Sequence, residues 1–100
     1  MKVIERMIQE IFPGQNEALE DLDKRYAALE SKIGFPAKRR MWAMSAPYTF
    51  DTLIIEREWD SMAAMEAAFE KSFANQDLQA LGVEGRSIIK SVRVELYMAA

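Results

Sequence analysis

Residues Thr52–Phe73, TLIIEREWDSMAAMEAAFEKSF, change hydrophobic period once, within a few positions. Leu53, Ile54 and Ile55, followed by alternating charge up to Trp59, read as a strand. Met62, Met65, Phe69 and Phe73 recur at three- and four-residue spacing and read as a helix with one apolar stripe. Asp60 and Ser61 stand at the junction, where a short oxygen-bearing side chain can accept from the first unpaired N–H groups of a helix. A strand that turns directly into a capped amphipathic helix is half of a layered α+β domain.

The remaining chain supplies the other half. Lys2–Phe12 is an extended stretch with Val3, Glu5, Met7, Gln9 and Ile11 on one face and Ile4, Arg6, Ile8, Glu10 and Phe12 on the other. Neither face is cleanly polar, so both are expected to be partly covered. Pro13-Gly14 ends the strand. From Gln15 or Asn16, the residues Leu19, Leu22, Tyr26, Leu29 and Ile33 form one helical stripe, with Asn16 as candidate N-cap, Gly34 as the C′ residue and Pro36 blocking continuation. Glu20–Lys24 and Asp21–Arg25 are favourable i,i+4 pairs on its outer side. Lys38–Ser45 reads as a second, weaker strand, joined through Ala46-Pro47-Tyr48 to the third in a hairpin. Asn75–Arg86 is polar and interrupted by Gly82 and Gly85, with a short helical turn around Leu78–Leu81.

Ile88–Met98 alternates most cleanly. Ile88, Val92, Val94, Leu96 and Met98, interrupted by Lys90, share a face that is expected to pack on the helices, while Ser91, Arg93, Glu95 and Tyr97 share the other. The order is β-α-β-β-α-β, a single ferredoxin-like α+β domain over residues 1–100, with a four-stranded antiparallel sheet and two helices on one face. Two helices cover one face only. The third strand places Leu53 and Ile55, or Thr52 and Ile54, on the uncovered face, and a homodimer with facing sheets would bury that surface.

Composition removes several chemistries. The chain has no cysteine and no histidine, which excludes thiolate metal sites, disulfides and the commonest general base, metal ligand and proximal haem ligand. A net charge of −3 argues against nucleic acid as a partner. No apolar run approaches the ~20 residues of a membrane span, and MKVIERMIQE carries charge where a secretory signal needs an apolar core, so a cytoplasmic protein is expected.

The candidate ligand-binding residues are Trp42, Tyr48, Glu56, Glu58, Arg93 and Tyr97. Arg93, Glu95 and Tyr97 alternate on one strand face, near Glu56 and Glu58 of the third strand. They could form a polar constellation with a carboxylate base and an arginine anion clamp, or cross-strand ion pairs that fix register. Trp42, between Met41 and Met44, and Tyr48 could wall a pocket; Trp59, next to the helix cap, more naturally staples strand to helix. Lys38-Arg39-Arg40 could hold an anion or form a solvated surface run. The seven methionines could mark an adaptable ligand surface, although Met62 and Met65 lie on the core stripe.

At the level of whole segments, ERMIQEIFPGQNEAL resembles the strand–Pro-Gly–helix opening of dimeric α/β-barrel proteins, notably the NIPSNAP-like and antibiotic-biosynthesis-monooxygenase-like branches. REWDSMAAMEAAFEKSF resembles their strand and aspartate-serine helix start, and NQDLQALGVEGRSIIKSVRVELYMAA their closing segment. The resemblance implies a ferredoxin-like homodimer with a central barrel and a cavity in each subunit between sheet and helices. The sequence departs from those patterns at Met7 and Gln9, where the NIPSNAP-like branch carries Arg-x-Tyr, and at Leu78, where a tryptophan is common. The haem-degrading branch needs a histidine that this chain lacks, and for quinone-forming oxygenation only Trp42, Asn16 and Asn75 could supply the polar site. The expected function is a homodimeric barrel that binds a small hydrophobic or aromatic molecule without metal, haem or other cofactor. A cofactor-independent monooxygenase or isomerase is the alternative, and a non-catalytic dimerisation or sensing module stays open beside it.

Overall fold

Val3–Ile11 forms the central strand β1, and the other elements are arranged around it in the computed structural model, which describes residues 1–100. They follow as α1 (Asn16–Lys32), β2 (Arg39–Trp42), β3 (Thr52–Trp59), α2 (Met62–Ala74), α3 (Gln76–Glu84), a 3₁₀ turn (Gly85–Ser87) and β4 (Ile89–Met98). The sheet order is β2-β3-β1-β4, with all three pairings antiparallel. This is the ferredoxin-like βαββαβ arrangement with a third helix, α3, added to the helical layer.

Turns and caps follow from local chemistry. Gly14, at φ +81°, takes the left-handed position of a tight turn closed by Gln15 N–H donating to the Phe12 carbonyl at 3.2 Å. Gly34, at φ +89°, ends α1 in a Schellman arrangement, with Phe35 N–H donating to the Glu30 carbonyl at 3.1 Å. Ser61 Oγ accepts from Ala64 N–H at 3.0 Å and starts α2, as the Asp60-Ser61 junction predicted. Asn16 is already helical and makes no cap; Gln15 holds the N-cap position without a side-chain bond. The short turn expected at Leu78–Leu81 is a full helix because Asn75 closes α2 and caps α3, its Oδ1 accepting from Leu78 N–H at 3.0 Å.

The core has two parts on one side of the sheet. Leu19 and Leu22 of α1 pack with Ile11, Leu53, Ile55, Leu81 and Ile88. At the other end Val3, Trp59, Met65 and Ala68 pack together, and Phe35 and Phe69 flank Trp59 with ring centroids 5.2 and 5.7 Å away. Two expectations change here. In α2 only Met65 and Ala68 are buried; Met62 and Phe73 are exposed, because one turn of this helix meets the Trp59 cluster. The apolar face of β4 does point to the helix side, paired with β1 residues Gln9, Met7, Glu5 and Val3, yet Val92, Val94, Leu96 and Met98 remain 45–72% exposed. The buried contacts of α1 and α2 fall on β1 and β3, so most of this edge strand has no helix over it.

Candidate functional site

Five of the six expected ligand residues share the sheet face opposite the helices. Register places Glu56, Arg6 and Glu95 in one row, Glu58, Ile4 and Tyr97 in the next, and Ile54, Ile8 and Arg93 in a third. Arg6 pairs with Glu56 at 2.8 Å and reaches Glu95 at 4.0 Å; Tyr97 Oη donates to Glu95 at 2.7 Å, which raises the phenol pKa above its ordinary value. Arg93 pairs with Glu95 at 3.2 Å and donates to Tyr48 Oη at 2.8 Å. Tyr48 belongs to the β2–β3 loop, so this bond carries the loop across β1 and over the row that holds Ile8, which is buried although it faces away from the helices. Glu58 sits at the end of this face beside Lys2, at 3.7 Å.

Trp42 lies on the other side of the sheet. It borders a wide surface groove of about 590 Å³ with Glu17, Lys24, Met44 and Phe50, and its indole N–H donates to Glu20 Oε1 at 3.1 Å. The six residues are therefore not one constellation.

The helix side carries a second polar system that the strand pattern alone did not single out. Glu5 and Arg57 are directly opposite in the β1–β3 register, and both are nearly inaccessible at 1% and 4%. Trp59 Nε1 donates to Glu5 Oε1 at 3.0 Å, and Arg57 lies 3.6 Å from that oxygen. Arg57 continues to Glu30 at 2.8 Å, Glu30 to Lys38 at 3.2 Å, and Lys38 to Asp23 at 2.6 Å. Arg40 contacts Asp23 through Nε and grips Glu20 at 2.8 and 3.0 Å. Four carboxylates thus alternate with three cations, and an indole N–H closes each end. The Lys38-Arg39-Arg40 run is neither an anion site nor a solvated stretch: Lys38 and Arg40 belong to this array, and only Arg39 faces water. The Arg40 hydrogen bonds, with a smaller contribution from Trp42, hold the Glu20 carboxyl below the usual carboxylate range. The sequence signal was present in the charged inward positions Glu5 and Arg57 of mostly apolar strand faces and in Asp23 beside the α1 stripe.

Above this array, between the sheet and the layer of α1 and α3, runs a cleft with two lobes of about 370 Å³ each. Both lobes share Met7, Tyr26, Glu30, Arg57 and Gly82, so they form one continuous space, within the size range of small-ligand sites. Phe35, Phe69 and Phe73 line one lobe; Gln9 and Val92 line the other. Three buried polar atoms at this cleft have no hydrogen-bond partner: Glu5 Oε2, Gln9 Oε1 and Arg57 Nε. Native proteins satisfy nearly all such atoms, so these three are unmet polar capacity beside the cleft. Burial, then the charges of Glu30, Asp23 and Glu84, raise the Tyr26 phenol above its ordinary pKa. No cluster of three or more carboxylates is arranged to hold a metal ion.

No family model matches the sequence, and no curated protein matches it. Solved structures share the fold. A NIPSNAP-like domain protein from Burkholderia xenovorans superposes with TM-score 0.82 at 7% identity, covering 99% of this chain and 85% of its own. A cofactor-independent oxygenase from Streptomyces nogalater gives 0.73 at 15%, covering 98% and 92%. A putative antibiotic-biosynthesis monooxygenase from Chloroflexus aurantiacus gives 0.66 at 19%, covering 100% and 94%. The chain has the ferredoxin-like α+β fold of these structures, and they belong to the two kinds of protein that its segments resemble.

Proposed function

We propose that this chain binds a small, largely apolar molecule in the cleft between the sheet and helices α1 and α3, and that it works as a homodimer. The observation that carries the binding reading is the set of three unpartnered buried polar atoms, Glu5 Oε2, Gln9 Oε1 and Arg57 Nε, in a cleft otherwise walled by Met7, Phe35 and Phe69. Apolar walls with a few converging polar groups are the usual make-up of a ligand site. The dimer reading is supported by the far face, where Ile4, Ile54 and Met41 lie between the ion pairs and no helix covers them. In such a dimer Tyr48, Glu56, Glu58, Arg93 and Tyr97 line the barrel interior, where a second, polar ligand would meet Arg93 and Tyr97. Trp42 would meet a ligand only in its outer groove.

Gly82 offers a clean test. It is an exposed position of α3 that lines both lobes, and a Cβ there meets only Tyr26 Oη, at 3.7 Å. Gly82→Leu therefore fills the cleft while favouring the helix. Native mass spectrometry of the wild type is expected to show a dimer carrying a co-purified small molecule, and Gly82→Leu a dimer without it. A monomer at micromolar concentration would reject the dimer, and a ligand retained by Gly82→Leu would reject the cleft.

A second reading, catalysis without a cofactor, rests on one atom. Glu5 Oε2 is a buried carboxylate oxygen with no partner, and the Arg57 guanidinium lies 3.6 Å from the other oxygen of the same carboxylate, an arrangement able to take a proton from a bound substrate and stabilise the anion left behind. Glu5→Gln that retains ligand binding and loses turnover of that ligand would support it; turnover unaffected by Glu5→Gln would sink it.

A further inference from the structure

β4 forms one open edge of the sheet, and no strand lies beyond it. The opposite edge, β2, is guarded in the usual ways: it has four residues, and two of them are arginines. β4 runs for ten residues without proline, and its one irregularity, opposite Glu10 and Ile11, falls at its start. Hydrogen bonding fixes which of its groups face outward. Ala99 N–H donates to the Lys2 carbonyl at 3.1 Å, so alternation turns the backbone groups of Arg93, Glu95 and Tyr97 toward β1. Those of Val92, Val94 and Leu96 point to the open edge, and their side chains are 45–52% exposed. A long edge with free backbone groups and an apolar flank is a template for another strand.

The sequence of that edge is complementary to itself. Two antiparallel copies of β4 related by a two-fold axis at Val94 set Val92 beside the partner's Leu96 and Arg93 beside the partner's Glu95. Outward-facing residues then meet outward-facing residues, for about six backbone hydrogen bonds, and the charged residues fall at the closely spaced positions between them. Moving the axis by one residue, to Arg93 or Glu95, places a like charge opposite itself; moving it by two leaves neither charge opposite the other. We infer that β4 is an interface between copies of this chain, paired antiparallel with Val94 on the two-fold axis. Val92 and Val94 also border the two lobes of the cleft, so the partner's Leu96 extends the cleft wall beside Val92. This contact goes beyond the far-face dimer proposed above. Its few outward residues make a small interface of the weak class, so it joins dimers at concentrations above those that form them.

Cross-linking in this cysteine-free chain tests the register. Val94→Cys is expected to form a covalent dimer on oxidation, because Cα atoms of a hydrogen-bonded antiparallel pair stand about 5.5 Å apart, within disulfide reach. Val92→Cys should not, since its own copy lies four residues along the strand, roughly 14 Å away. Both positions face the helix side, so a far-face dimer, with two sheets between them, links neither. Light scattering over a concentration series is expected to show masses above the dimer as concentration rises. Arg93→Glu and Glu95→Arg should each move that rise to concentrations on the order of tenfold higher, and an equimolar mixture of the two should restore it. Each variant keeps like charges within its own chain, so recovery on mixing comes from contacts between chains. Val94→Cys left unlinked, or linked no better than Val92→Cys, would overturn the edge pairing, and mixing without recovery would overturn the axis at Val94. Linked Val94→Cys whose mass stops at the dimer would keep the edge and reject the far-face contact; a wild-type dimer with Val94→Cys unlinked would do the reverse.

Discussion

The two faces of this sheet carry similar charged residues in opposite circumstances. On the far face Arg6, Glu56, Arg93 and Glu95 pair at 2.8–4.0 Å with side chains 23–60% exposed. On the helix face Glu5, Arg57, Glu30, Lys38 and Asp23 pair at 2.6–3.6 Å with side chains 2–14% exposed. Distances alone would rank the two systems together, but the solvent does not. Exposed pairs are screened and contribute little, whereas a buried charge that loses its partner keeps its desolvation cost. The far face can therefore exchange its ion pairs for contacts with another molecule, while the helix face is committed to its array.

Substitutions can break this contrast. The largest effect is expected for Arg57→Met, which leaves the buried Glu5 without a cation and Glu30 with Lys38 alone, and should cost ~3–5 kcal/mol in urea unfolding. A loss no larger than that of a surface pair would erase the distinction. Trp59→Phe keeps most of the apolar volume but removes the N–H that Glu5 Oε1 accepts, and a loss of about 1–3 kcal/mol is expected. Arg6→Met on the far face should cost less than ~1 kcal/mol in a monomer. If the far faces meet in a dimer, the same substitution becomes concentration-dependent, so unfolding at two protein concentrations sharpens the comparison into a test of assembly.

The smallest effect is a pH dependence at the outer end of the array. Arg40 and Trp42 depress the folded pKa of Glu20 below its unfolded value, so its pairing contributes stability above about pH 4.3, the ordinary carboxylate value. That contribution disappears as pH falls through the lower folded value. Glu20→Gln should therefore flatten the acid limb of the stability–pH curve. An unchanged acid limb would mean the pairing does not persist in solution.

Much of the fold was legible because periodicity and end signals act locally. The change of period at Asp60-Ser61, the Gly34 terminator and the alternation of Ile88–Met98 each specify an element without reference to distant residues. Pairing partners on the far face were legible for the same reason, since alternate residues of one strand must share a face. Trp42 was grouped with Tyr48 and Arg93 because sequence shows that residues are aromatic or charged but not which side of a sheet they reach. Strand pairing places Trp42 opposite Leu53, on the helix side, and Tyr48 crosses to the other side through the loop. The buried array was the least legible part. It joins Glu5 to Arg57 across two strands and Asp23 to Lys38 across a helix and a loop, at separations where no periodicity operates.

By itself, then, the sequence determined the order of the four strands and the first two helices, the Ser61 cap, the Gly34 terminator, and the exclusion of histidine- and cysteine-based chemistry, because these depend on neighbours along the chain and on composition. Tertiary structure decided which faces are dry. It left the apolar row of β4 open, made Asn75 a joint between two helices, and gathered four carboxylates and three cations under a cleft with three unpartnered atoms. Burial is a property of how layers meet, and a stripe or a strand face becomes core, cleft or surface only when the opposing layer is in place.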